Sequence, residues 1–237
     1  MIVCVGIFLC YFSLNGWKTR FLGLKTESDF KDLGVQVFPG IPVSRRRVQL
    51  ADDHSGIETV KCRVVSLKNL DATSGEVRFG PEDGWLEFPS ERLSERLYLQ
   101  PGDSLLTARG SLYKVALVRG TAEIADEHVV ASSNLIVVRP SAMIMPELIF
   151  AFLRSDEVEA ELSMTRRGSS IGVISISARL VESLRIGVPT PEEQERLGEL
   201  LRLGNEQYRL SQTVASLRRD IAERLVLEQL EVGSNGE

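Results

Sequence analysis

The feature that most constrains this chain is a run of about forty residues near its C-terminus that can be only one long helix. From Glu192 to Leu230 there is no proline, and Gly198 and Gly204 are the two glycines in an otherwise helix-favouring stretch. Thr190 suits the N-cap, Pro191 the first helical position, and the carboxylates of Glu192, Glu193 and Glu195 the positive end of the helix dipole. At roughly 1.5 Å per residue such a helix reaches about 60 Å, longer than the remaining residues could make a domain wide. It must leave the body as an arm. Leu200, Leu203, Leu210, Val214, Leu217 and Ile221 alternate at three-and-four spacing, with Gln207 in the one polar slot. That is the pattern of a coiled-coil seam, in which a polar residue fixes register at some loss of stability. The stripe needs a partner to cover it.

Ahead of the arm the periodicity is mostly that of strands. Short apolar runs at Val35–Phe38, Lys61–Leu67, Val77–Phe79, Ser104–Thr107, Lys114–Val118, Asn134–Arg139, Ser175–Ser177 and Leu184–Val188 are bounded by Gly, Pro and Asp. Gly110 between the Ser104 and Lys114 runs permits a tight hairpin. The stretch Pro81–Ser94, rich in Gly, Pro and acids, reads as a loop. Leu148, Phe152 and Leu153 switch to helical spacing behind Pro146, which predicts a helix over Pro146–Leu162. Strands and helices so segregated make an α+β body with a mixed or antiparallel sheet. The expected division is an apolar N-terminal extension over 1–28, a globular domain over 29–190, the long helix over 191–231 and a tail over 232–237.

The opening MIVCVGIFLCYF is apolar but shorter than the roughly 20 residues a bilayer crossing needs. A signal peptide would carry a basic start and a small-residue cleavage site, and neither is present. A buried strand or an extension outside the domain proper fits better, and the extension is favoured. Cys4, Cys10 and Cys62 show no paired spacing, and His54 and His128 lie far apart, so neither a zinc site nor a disulfide framework is expected. A reducing cytoplasm is the natural compartment.

The formal net charge of −5, taken alone, argues against a protein that coats nucleic acid non-specifically. Pro191–Glu231 carries nine acidic and six basic residues, which leaves the body near neutral with local basic knots. The densest knot is Arg45, Arg46 and Arg47 beside the turn Pro39–Pro42: a solvated loop in the plain reading, a phosphate clamp in the functional one. Thr165–Ser170 places Arg166 and Arg167 next to Gly168, Ser169 and Ser170. Catalytic signatures are missing. The chain has no GxxxxGK[ST], HExxH or helix-opening GxGxxG, no Asn/Asp-Pro-Pro-Tyr/Phe of an adenine methyltransferase, and no Glu-x-Lys of a metal nuclease, and the letters GxSxG occur only at Gly168–Gly172, overlapping the polar Thr165–Ser170 stretch. A non-catalytic reader, scaffold or adaptor without cofactor or metal is the expectation.

Three segments then form a composite: LQPGDSLLTARGSLYKVALV (Leu99–Val118), SSNLIVVRPSAMIMPELIFAFLRSDEVEAEL (Ser132–Leu162) and TRRGSSIGVISISARLVESLRIGVPTPEEQERL (Thr165–Leu197). In this order, and closed by Pro-Thr-Pro-Glu-Glu-Gln at a helix start, they resemble the target recognition domain of type I restriction–modification specificity subunits. With an early strand over Val60–Leu70, the likeness runs from Val37 to Leu230. Full subunits of that family carry two such units in tandem and this chain carries one. The apolar N-terminus has no counterpart there, and Tyr113 stands where the family's hairpin often has a second glycine.

The resemblance implies a target-recognition-type domain that reads one half of a bipartite double-stranded DNA target. The helix would set the distance to a second reader and dock adenine methyltransferase subunits. It implies DNA contacts from Arg109, Ser111, Tyr113 and Lys114 in the hairpin and from Arg166, Arg167, Ser169 and Ser170 in the second loop. Arg45–Arg47, Lys68 and Asn69 would support them. One recognition unit with one helix implies a homodimer through the seam Leu200–Ile221, without membrane attachment. The alternative left open is a coiled-coil interaction or adaptor protein of a defence assembly, with no direct base readout.

Overall fold

The structure is a computed structural model that describes residues 26–43, 58–80, 83, 85–120, 128–164 and 174–232. The central layer is a six-stranded sheet in the order β2 (Gln36–Pro39), β11 (Leu135–Arg139), β7 (Ser104–Thr107), β9 (Val115–Leu117), β5 (Glu76–Val77) and β4 (Leu70–Asp71). All neighbours are antiparallel except β5 and β9. β7, β9 and β11 are buried along their whole length, which explains why they read as continuous apolar runs. A three-stranded sheet packs beside it: β10 (Val129–Ala131) parallel to β3 (Thr59–Val65), and β3 antiparallel to β6 (Trp85–Pro89). Two small ladders finish the set, β1 (Thr26–Asp29) with β13 (Arg185–Val188) and β8 (Arg109–Gly110) with β12 (Ile174–Ser175).

Three apolar clusters hold these layers. One face of the large sheet packs on α1 (Pro146–Leu153), α2 (Asp156–Met164), α3 (Ala178–Glu182) and the segment around Phe30. The other face, through Leu105, Ala116, Leu135 and Val137, meets Val65, Val129 and Ala131 of the smaller sheet. A third cluster around Cys62, Phe88 and Val130 lies on the smaller sheet's opposite face. Burial there pushes the Cys62 thiol up to about 11, which suits an inert core residue.

Pro101-Gly102-Asp103 shows how local chemistry is joined to the core. Gly102 takes a positive φ of 96° behind Pro101, and the Asp103 N–H closes the turn on the Gln100 carbonyl at 3.0 Å. The Asp103 carboxylate then accepts two hydrogen bonds from Arg139, 2.9 Å from Nε and 2.8 Å from Nη2. Arg139 also donates to the carbonyls of Arg96 and Tyr98. A buried guanidinium with a bidentate carboxylate and two carbonyls is one that burial does not penalise unduly.

The chain departs from the sequence reading in four places. β1 begins at Thr26, so residues 26–28 belong to the fold and not to an extension. The presumed loop Pro81–Ser94 contains β6, because Leu86 and Phe88 alternate inward to the third cluster. The helix expected over Pro146–Leu162 is two helices broken at Arg154–Ser155, where the Arg154 N–H still bonds the Phe150 carbonyl and Ser155 opens the next turn. Short strands and helices such as β10 and α3 carry too few residues to show a period.

The arm is α4 (Pro191–Val232), 42 residues long. Its start is a reciprocal cap: the Glu193 N–H donates to Thr190 Oγ1 at 3.4 Å, and the Thr190 N–H to Glu193 Oε2 at 3.3 Å. The first turns lie on the body through Gln194, Gly198, Leu201 and Asn205, and beyond them every side chain to Leu230 is exposed. No helix among the described residues is long and apolar enough to cross a membrane.

Candidate functional site

The hairpin between β7 and β9 is stiffened from within. Thr107 Oγ1 donates to the Leu112 carbonyl at 3.0 Å and accepts from the Lys114 N–H at 3.0 Å, which spans the loop base and drives its tip outward. Arg109, Ser111 and Leu112 are exposed there, Leu112 at 63%. Gly110 does not need left-handed backbone, contrary to the simple turn reading. It allows close approach instead, because a Cβ at that position would come within 2.7 Å of Leu67 Cδ1.

That contact brings in a second segment. The 3-10 turn Leu67–Asn69 lies against the hairpin, and Lys114 Nζ donates to the carbonyls of Leu67 and Leu70 at 3.1 and 2.9 Å. Asn69 is buried, with its amide nitrogen on the Arg78 carbonyl and on Asp83 and its amide oxygen accepting from the Ser66 N–H and hydroxyl. Lys68 pairs with the Asp83 carboxylate, which also accepts from the Gly80 N–H at 2.6 Å. Lys68 first, then Gly80, holds the Asp83 carboxyl below the ordinary range.

A third segment arrives from far along the sequence. β12 runs antiparallel to β8, with Ile174 opposite Gly110 and Ser175 opposite Arg109. The Ile176 N–H bonds the Ala108 carbonyl at 2.8 Å, which extends the same ladder. The residues that follow Arg166, Arg167, Ser169 and Ser170 in sequence are therefore hydrogen-bonded to the hairpin itself. Those four residues, like Arg45, Arg46 and Arg47, lie outside the described residues.

The nominated contacts thus divide. Arg109 and Ser111 stand exposed at the hairpin, with Lys68 on the adjacent turn. Tyr113, Lys114 and Asn69 serve the fold instead. The Tyr113 hydroxyl donates to the Leu153 carbonyl at 2.6 Å, and burial raises its pKa far above the ordinary tyrosine value. The Lys114 and Asn69 polar atoms are engaged as above. A long side chain beside a tight hairpin can turn inward as easily as outward, and sequence alone does not say which. Leu112 is an exposed residue that the sequence reading does not single out. An apolar residue at the tip of a polar loop was its only signal.

On the arm, Leu200, Leu203, Gln207, Leu210, Val214, Leu217 and Ile221 form one exposed stripe, with Leu203 at 59% and Ile221 at 58% exposure. It faces away from the side that docks on the body. Among the described residues no cluster of His, Cys, Asp and Glu is arranged to hold a metal ion.

No protein-family profile matches the sequence, and no curated protein matches it. Among solved structures, the chain is similar to the HsdS subunit from Thermoanaerobacter tengcongensis, at 18% identity over 81% of this chain and 47% of that one, with a TM-score of 0.49. It is also similar to a chain of a structure concerned with complex assembly and conformational transition of the type I R-M system, at 20% identity over 80% of this chain and 45% of that one, with a TM-score of 0.43. The chain spans about half the length of each.

Proposed function

We propose that this protein is a DNA-reading specificity component of the type I restriction–modification kind, with no catalytic role of its own. The body reads half of a bipartite duplex target. The arm holds the distance to a second reader and offers a surface to adenine methyltransferase subunits. The observation that supports the reading is the β8–β12 ladder, which pairs Ile174 and Ser175, shortly past Ser170 in sequence, with Gly110 and Arg109. A groove-reading surface draws its contacts from more than one chain segment, and in this reading the hairpin and Arg166–Ser170 are two of them.

In this reading Arg109, Arg166 and Arg167 supply bidentate contacts to guanine or to phosphates, and Ser111, Ser169 and Ser170 supply hydroxyl contacts to base edges. Leu112 meets apolar groove edges such as a thymine methyl. Lys68 and Arg45–Arg47 add phosphate contacts. A second copy of the chain covers the arm's stripe, which would place two identical readers on a symmetric interrupted site.

The test is retention on double-stranded DNA as a function of salt. The wild-type chain is expected to bind with steep salt dependence, and Arg166→Ala with Arg167→Ala is expected to weaken binding and lower the log–log slope by about two. Binding that ignores both arginines removes that loop from the site. The exposed stripe on α4 also suits a coiled-coil adaptor without base readout. Retention absent at any salt would favour that reading.

A further inference from the structure

Trp85 is a large aromatic that the reading above leaves unused. It opens β6 at the free edge of the three-stranded sheet and is 47% exposed. The register sets it opposite Arg63 and sets Lys61 opposite Glu87, so these four side chains share one face. Val65 on that face is buried against the large sheet, but toward β6 the face opens to solvent. The Arg63 guanidinium lies 4.0 Å from the Phe79 ring centroid, which fixes a cation beside Trp85. The Lys61 side chain is 71% exposed and its contact with Glu87, at 3.6 Å, is loose.

This patch adjoins the hairpin region. The Trp85 end of β6 lies where β3 runs into the Leu67–Asn69 turn, and Lys68 on that turn grips Asp83, two residues before Trp85. Leu67 in turn backs onto Gly110, and its carbonyl receives Lys114. Trp85, the Lys68 turn and the Arg109 hairpin are successive neighbours along one strip. Among the described residues of the strip, Lys61, Arg63, Lys68 and Arg109 outnumber Asp83 and Glu87, a local positive excess on a chain whose formal net charge is −5.

From this continuity and sign of charge we infer that duplex DNA is held on the β3–β6 face as well, with Lys61 on a phosphate and Trp85 packed on deoxyribose and base edges. The inference rests on the DNA-reading function proposed above and extends its contact surface. The sequence holds two tryptophans, Trp17 and Trp85, so Trp17→Phe leaves Trp85 as the only indole in the full chain. Titrating that variant at low salt with sheared mixed-sequence duplex DNA is expected to change Trp85 emission in step with binding. Trp85→Ala is expected to weaken binding about fivefold or more, with Trp85→Phe retaining most of it. Lys61→Ala is expected to lower the log–log salt slope by about one. If emission and affinity stay unchanged while Arg109→Ala still weakens binding, the face is not in contact and the inference falls, although the function stands. If the wild-type chain binds no duplex at all, both fall together.

Discussion

The side-chain carbonyl of Gln194, in the first turn of the arm, accepts a 2.9 Å hydrogen bond from the backbone N–H of Met145, 49 residues earlier in the chain. The same amide donates to the carbonyls of Met143 and Pro189 at 3.0 and 3.1 Å, and Gln194 is 6% exposed. One side chain thus joins the start of the arm to the start of α1. Arg202 adds a weaker brace on Glu147 at 3.5 Å.

Gln194→Leu is expected to destabilise the protein by about 3 kcal/mol, because it removes a buried amide and leaves the Met145 N–H and the Met143 and Pro189 carbonyls without that partner. Urea unfolding measures the loss. Small-angle scattering should also show a wider spread of arm directions, and an unchanged profile would mean that packing alone sets the angle.

Arg139→Met leaves the Asp103 carboxylate buried without its partner and should cost about 3–5 kcal/mol. Adding Asp103→Leu is expected to recover much of that, since two apolar groups replace a desolvated ion pair. A double-mutant cycle by chemical denaturation tests the coupling; additive losses would deny it.

The Asp83 carboxyl is held below its ordinary value of 3.8 by Lys68 and then by Gly80. A depressed folded-state pKa gives stability that is fully present above the unfolded value and lost as pH falls through the folded one. Stability measured downward from about pH 5 should therefore decline less steeply in Asp83→Asn than in the wild type. Parallel curves would show that the pair contributes nothing.

Leu210→Glu with Leu217→Glu places charges in the middle of the exposed stripe. A wild-type dimer at micromolar concentration is expected to become a monomer in this variant, with the body's unfolding unaffected. Sedimentation or light scattering decides, and a monomeric wild type would end the homodimer proposal.

Gly204 sits in the arm with nothing within 4 Å of where a Cβ would stand. Gly204→Ala should therefore raise helicity and stabilise the arm by about 0.5–1 kcal/mol. Circular dichroism on melting reads this directly.

Much of the fold was legible because its signals are local. Proline at the starts of α1 and α4, the Thr190 cap, the arm's period and the apolar runs of β7, β9 and β11 each depend on a few neighbouring residues. β6 is not legible in the sequence because a five-residue strand set among proline, glycine and acidic residues offers two inward side chains, too few to outweigh the loop composition around it. The single helix drawn through Arg154–Ser155 failed for a related reason: apolar spacing continues across a break that backbone bonding decides.

By itself the sequence determined that a sheet-rich body ends at Pro189–Pro191 and yields to a long helix with one apolar stripe, because chain stiffness, capping and periodicity are properties of adjacent residues. Only the tertiary structure decided that β12 pairs with β8, that Gln194 reaches Met145, and that Tyr113 and Lys114 turn into the fold while Arg109, Leu112 and Trp85 remain outside. Those outcomes depend on which distant backbone groups come within hydrogen-bond reach once the sheets pack.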